Sequence, residues 1–183
     1  MGFIDQNFFF FDTDETDTSI DGIIEKGIEL VLRHGINGLY VNPWNWIEHN
    51  IPQGMSETSY VSLAYSKFIR FARKYDVHVF LVAHTTKMEK EKDKNKYKIP
   101  TLYNISGSAN FFNKTHNGVC VYRDFETGMV DVYVQKVKQS WLGETGYCSY
   151  KFNTLIRQYE FASTNFIDRN KTVSQGSFIP VPT

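Results

Sequence analysis

Residues 38–49 read GLYVNPWNWIEH, and the first six of them decide what kind of sheet the chain can build. Leu39, Tyr40 and Val41 form a short apolar climb that stops at Asn42 and Pro43. A proline cannot donate to a sheet ladder, so pairing must cease there. A continuous apolar run bounded in this way predicts a strand inside a parallel sheet.

Working outward, the upstream run NFFFFD (7–12) is short, continuous and aromatic and is followed by the polar TDETDT, which predicts another strand buried on both faces. Between the two lies a predicted helix. Thr18 can cap it with Asp21 three residues on, Ile20, Ile24, Ile28 and Val31 recur at helical spacing, and Gly35 stands where helices end. Downstream of the polar NIPQGMS, residues 57–75 put Val61, Ala64, Tyr65, Phe68 and Ala72 on one helical face, with Lys67, Arg70, Arg73 and Lys74 largely elsewhere. VHVFLVAH (77–84) predicts a third buried strand. Strands alternating with helices make right-handed crossovers and a parallel sheet the economical topology, so the fold class is α/β.

The pattern changes after His84. TTKMEKEKDKNKYKIP (85–100) is a charged loop without apolar period, and SGSANFFNKTHN (106–117) predicts a short helix entered through a glycine turn. GVCVYRD, VDVYVQKVK, GYCSYKFN and RQYEF are β-branched and aromatic and are separated by FETG and LGETG, which predicts an antiparallel or mixed β extension. From about Ser163 the periodicity is lost, so the expected division is one domain over 1–162 and a mobile tail over 163–183.

The chain has 183 residues, enough for one domain with a substantial core. Twenty Lys plus Arg balance twenty Asp plus Glu, so any anion or nucleic-acid site must come from local clustering. Cys120 and Cys148 sit in apolar runs without ligand spacing and read as buried thiols of a reducing compartment, a disulfide being the lesser alternative. No run reaches the roughly 18 apolar residues of a membrane helix. The N-terminus has no basic region before its apolar run, and Gln6 stands where a myristoylation signal wants Ser or Thr. The expected setting is cytoplasmic, with no membrane partner.

Ligands of open parallel sheets bind beyond the carboxyl ends of the strands. That geometry selects Asp12, Asn42 and His84, each the polar residue that closes a predicted strand. The plain alternative is that each merely ends a strand and satisfies loop backbone groups.

GLYVNPWNWIEH, VHVFLVAHTTK, LYNISGSANFFNKTHNGVCVYRD and VDVYVQKVKQSWLGETG, in this order and spacing, resemble the C-terminal part of the RecA-like motor domain of ring-shaped replicative DNA helicases. The resemblance covers roughly residues 7–161 and is nearest to the phage and Bacteroidales-type primase-helicases, which are related to the mitochondrial replicative helicase and DnaB. It implies a P-loop NTPase-type sheet, ATP and Mg²⁺ as cofactors, single-stranded DNA as partner, and self-association as a ring, a hexamer in the parent protein.

The same resemblance assigns roles. Asn42 takes the end of the Walker B strand, where the family commonly has an aspartate beside Mg²⁺; an amide keeps the shape and loses the charge. His84 matches the polar sensor of the γ-phosphate. Lys136 and Lys138, alternate residues on one strand face, match the Lys-x-Arg that reaches into the neighbouring subunit's ATP site. With lysine at 138, a bidentate phosphate contact becomes a point charge. The loop 87–98, with Lys87, Lys90 and Lys92, matches the first DNA-facing loop; Ser106, Gly107, Ser108 and Asn113 match the second. Phe111 and Phe112 are either base-stacking or core residues, core packing being favoured.

No GxxxxGK[ST] phosphate loop occurs in the sequence, and the family carries it upstream of the first strand seen here. The expectation is an incomplete motor domain, the downstream part of a longer ATP-dependent helicase and inactive as an ATPase by itself. The rival is a non-hydrolysing relative that binds nucleic acid or pairs with another subunit, towards which Asn42 and Lys138 lean. An unrelated two-layer hydrolase using Asp12 and His84 is remote, because no nucleophile is partnered.

Overall fold

The computed structural model describes residues 2–11, 17–90, 97–105 and 109–166, residue 166 by its backbone alone. Asp12, Lys92, Ser106, Gly107, Ser108 and the tail beyond 166 lie outside the described residues. The chain divides into two compact units, Met1–His84 and Thr85–Thr183, where the sequence suggested one.

In the first unit, helix α1 (Phe3–Asn7) precedes helix α2 (Ile20–His34), strand β1 (Gly38–Val41), helix α3 (Glu57–Tyr75) and strand β2 (His78–Leu81). β1 and β2 pair in parallel, Gly38 with His78 through Val41 with Leu81. The predicted face of α3 is buried at Val61, Ala64 and Phe68, whereas in α2 the buried face is turned from the predicted one, Ile24, Ile28 and Val31 being only half-buried. Ile20, Ile23 and Leu30 of α2 and Tyr60, Val61, Ala64, Phe68 and Phe71 of α3 are buried, together with Leu39 and Val41 of β1. Ser19, not Thr18, caps α2, its hydroxyl accepting from the Gly22 N–H at 3.2 Å. Thr18 instead gives its carbonyl to the Glu48 N–H. Gly35 ends α2 at φ +64°, a left-handed conformation that costs a glycine little.

Two expectations fail here. The described residues 7–11 of the NFFFFD run form no strand: its start belongs to α1, and Phe8, Phe9 and Phe10 are 53, 41 and 81% exposed. A strand needs a neighbour to take its backbone groups, and among the described residues β1 pairs only with β2. Local ring contacts replace that pairing, Phe3 with Phe8 and Phe9 stacked on His34. The third predicted strand is shorter than 77–84 and only half-buried, because the helices cover one face of the pair while Tyr40, His78 and Phe80 stay open on the other.

The second unit is a meander of four antiparallel strands, β3 (Asn117–Arg123), β4 (Met129–Val137), β5 (Gly146–Asn153) and β6 (Gln158–Phe166), preceded by a 3-10 turn at Leu102–Asn104 and the short helix α4 (Asn110–Lys114). The β extension is therefore as predicted, and β6 runs three residues past Ser163, where the tail was expected to begin. Asp124 shapes the β3–β4 turn by accepting the Glu126 and Thr127 N–H groups at 2.9 and 3.3 Å. Both cysteines are free and half-buried rather than buried, and burial pushes the Cys120 thiol up.

Candidate functional site

The carboxyl ends of β1 and β2 are stitched to the loop that follows β1. The Val41 carbonyl accepts from the Val82 N–H at 2.9 Å, and the Val82 carbonyl accepts from the Trp44 N–H at 2.7 Å. Asn42 stands exposed between these bonds, one residue past β1, and its bond to the buried Pro43 is cis. His84 lies three residues past β2, exposed, with its backbone N–H donating to Asn45 Oδ1 at 2.8 Å. Asn42 and His84 thus occupy the same end of neighbouring parallel strands.

Asn45 was not singled out by sequence reading. The signal available was the second asparagine of NPWNW, placed in a 3-10 turn (Trp44–Trp46) just after a strand. Beneath that turn, Trp44 is 5% exposed and packs against His49 and Tyr60. His49 Nε2 lies 3.1 Å from the Trp44 carbonyl. Burial raises the pKa of the Tyr60 phenol in this floor.

Mg²⁺ needs hard, mostly anionic oxygens. Asn42 offers a neutral one, and among the described residues no group of three His, Cys, Asp or Glu side chains is placed to hold a metal. The described residues do not build a cation site by themselves.

The remaining candidates belong to the second unit. Lys136 does not stretch outward from the sheet: its Nζ donates to the Phe112 carbonyl and, at 3.4 Å, to the Asn113 carbonyl, and it lies 4.7 Å from the Phe112 ring centre. It thereby satisfies carbonyls at the end of α4 that have no helical partner. Loss of solvent, then the charge of Lys138, holds its pKa below the usual lysine value. β4 ends at Val137, one residue before Lys138, which is exposed and whose N–H donates to the His116 carbonyl. Of the expected pair, Lys136 is half-buried and bonded to α4, and Lys138 is exposed.

In the basic loop, Lys87 is exposed, whereas Lys90 lies 5.5 Å from the Tyr97 ring centre and bridges to Tyr97 through the backbone. Asn113 is exposed on α4, next to Phe112. Phe111 is 1% exposed and is the core residue of α4, as favoured. Phe112 is covered by Tyr103, whose ring stacks on it at 4.4 Å and 21°. Tyr103 is the second residue that sequence reading missed.

No protein-family model matches the chain. It is 36% identical over 133 residues to the Twinkle homolog protein, chloroplastic/mitochondrial, of Arabidopsis thaliana, across 70% of this chain and 18% of that protein. The chain therefore spans about a fifth of the length of the curated relative it matches. Its fold matches a structure of a DnaB-like replicative helicase described with its interactions with primase, at a TM-score of 0.61 and 20% identity, over 74% of this chain and 33% of that one. Among the described residues no helix is long and apolar enough to cross a membrane.

Proposed function

We propose that this chain, a relative of the motor domain of ring-shaped replicative DNA helicases, is the downstream part of a RecA-like ATP-dependent motor that moves along single-stranded DNA as a ring. The observation that carries the reading is the placement of Asn42 and His84 at one carboxyl end of two parallel strands, tied by Asn45. In such sheets that end is where ligands bind. ATP and Mg²⁺ are proposed for the parent protein, with the phosphate loop and the charged Mg²⁺ partner coming from residues other than those described.

In this reading Lys138, exposed and free of an ion pair with any described residue, is the better candidate for a neighbour's phosphate. Lys136 must give up its bonds to α4 to serve there. Lys87 and Lys90 supply cations to the DNA, and Asn113 a polar contact.

The second reading, a non-hydrolysing nucleic-acid-binding or subunit-pairing relative, is favoured by the amide at position 42. Steady-state ATPase separates the two. The chain alone should turn over no ATP, and the chain joined to a phosphate-loop segment of a relative should turn it over with Asn42→Asp as active or more so. Turnover by the chain alone, unchanged by Lys136→Ala, would overturn the assignment. For DNA, labelled single strands are titrated at several salt concentrations; log K should fall with log salt by about 0.7 per phosphate contact. Lys87→Ala with Lys90→Ala should flatten that slope, and an unaltered slope returns the loop to a solvated charge run.

A further inference from the structure

Tyr103 is 56% exposed, yet its position is fixed from three sides. Beneath it lies Phe112, stacked at 4.4 Å and itself held by Lys136. After it, Asn104 closes the 3-10 turn on Thr101, whose N–H and hydroxyl donate to Asn104 Oδ1 at 2.8 and 2.9 Å. Before it, Leu102 lies over Gly118, where a Cβ would collide with it. The ring is therefore a pre-set surface that loses little freedom on meeting a flat partner.

A cation stands beside it along the backbone. The Asn104 carbonyl accepts from the Thr86 N–H at 2.8 Å and from the Thr86 hydroxyl at 3.1 Å. Lys87 follows Thr86 and Tyr103 precedes Asn104, so an exposed ammonium and an exposed ring flank one hydrogen-bonded link. A single strand offers alternating phosphates and bases, and proteins that bind it pair cationic grooves with aromatic rings. Solitary exposed aromatics are ordinary on protein surfaces. Tyr103 differs from Tyr40, which is also exposed, in its fixed turn, its stacked support and its neighbouring cation.

We infer that Tyr103 is a stacking platform for an unpaired nucleobase of single-stranded nucleic acid, with Lys87 taking an adjacent phosphate. The inference rests on the DNA-binding reading above and names its base contact. Every base has a π-face, so the platform is indifferent to sequence.

The test uses the whole chain and a fluorescein-labelled oligothymidylate, with a matched strand of abasic residues as the second probe. Tyr103→Ala should weaken binding to the thymidylate roughly 5- to 100-fold, and Tyr103→Phe by less than about twofold, because the ring face is kept. On the abasic strand, wild type should fall to the level of Tyr103→Ala, which should lose nothing more. The salt slope should be the same for all three, since no phosphate contact is removed. Circular dichroism confirms that Tyr103→Ala is folded. Wild-type affinity in Tyr103→Ala, or equal losses on both strands, overturns the platform while leaving the DNA reading intact. A wild-type chain that binds neither strand overturns both.

Discussion

The backbone N–H of His84 donates to the side-chain oxygen of Asn45, 2.8 Å away and 39 residues earlier in the chain. The segment after β2 is thereby held against the turn after β1, by one bond that the β1–β2 ladder does not supply. Asn45→Ala should cost about 0.5–1.5 kcal/mol. More specifically, amide exchange at His84 should accelerate while that at Val82, bonded to Val41, stays as it was. Unchanged exchange at His84 would show that the segment is held by other means.

Lys136→Met keeps the apolar stem over Phe112 and removes the ammonium. Two carbonyls at the end of α4 lose their donor. A five-residue helix has little cooperativity of its own, so its amides should exchange faster and the domain should lose about 1–3 kcal/mol to denaturant. Slower or equal exchange would mean that α4 is held by its ring packing and not by Lys136.

Tyr133 gives a pH prediction. Burial first, then the neighbouring Asp131 carboxylate, pushes its phenol from 10.0 up to about 12. The fold favours the neutral form, so this contribution is complete below pH 10 and is lost as pH rises towards about 12. Burial pushes Tyr65 up as well, in the same sense. Stability should therefore fall between pH 10 and 12, and Tyr133→Phe should fall less steeply. Equal slopes, followed by tyrosinate absorbance and denaturant midpoints, would rule out the assignment.

Gly118→Ala places a methyl group on Leu102. Overpacking of this kind costs about 1–3 kcal/mol. Because Leu102 precedes Tyr103, the variant should also weaken binding to oligothymidylate, as Tyr103→Ala does. Adding Leu102→Ala should recover part of both losses, since the two sites share one contact. Additive losses would separate Gly118 from the turn.

What the sequence revealed were the features written in period and punctuation. The helical spacing of Val61, Ala64, Phe68 and its neighbours, the cap before Gly22 and the stop at Gly35 predict α2 and α3, the cap lying one residue off. That slip arises because Thr18 and Ser19 carry the same chemistry, and only geometry decides which hydroxyl reaches the first turn. The polar closures at Asn42 and His84 were visible because they end apolar runs. The phenylalanine run misled because apolar content predicts burial only if a neighbour exists to bury it. The bonding of Lys136 to α4 and the setting of Tyr103 were illegible for another reason: β4 places a lysine under α4, and a backbone bond joins Thr86 to Asn104, through contacts 24 and 18 residues apart that no local pattern records.

Every residue pair of β1 with β2 is offset by forty positions, as Gly38 with His78, whereas β3 to β6 turn back on one another through short connections. Closing a long loop before any ladder forms is entropically slow, and nearby pairings are fast. During refolding the meander should acquire protected amides first, and the parallel pair, with Asn42 and His84 at its end, should be assembled last.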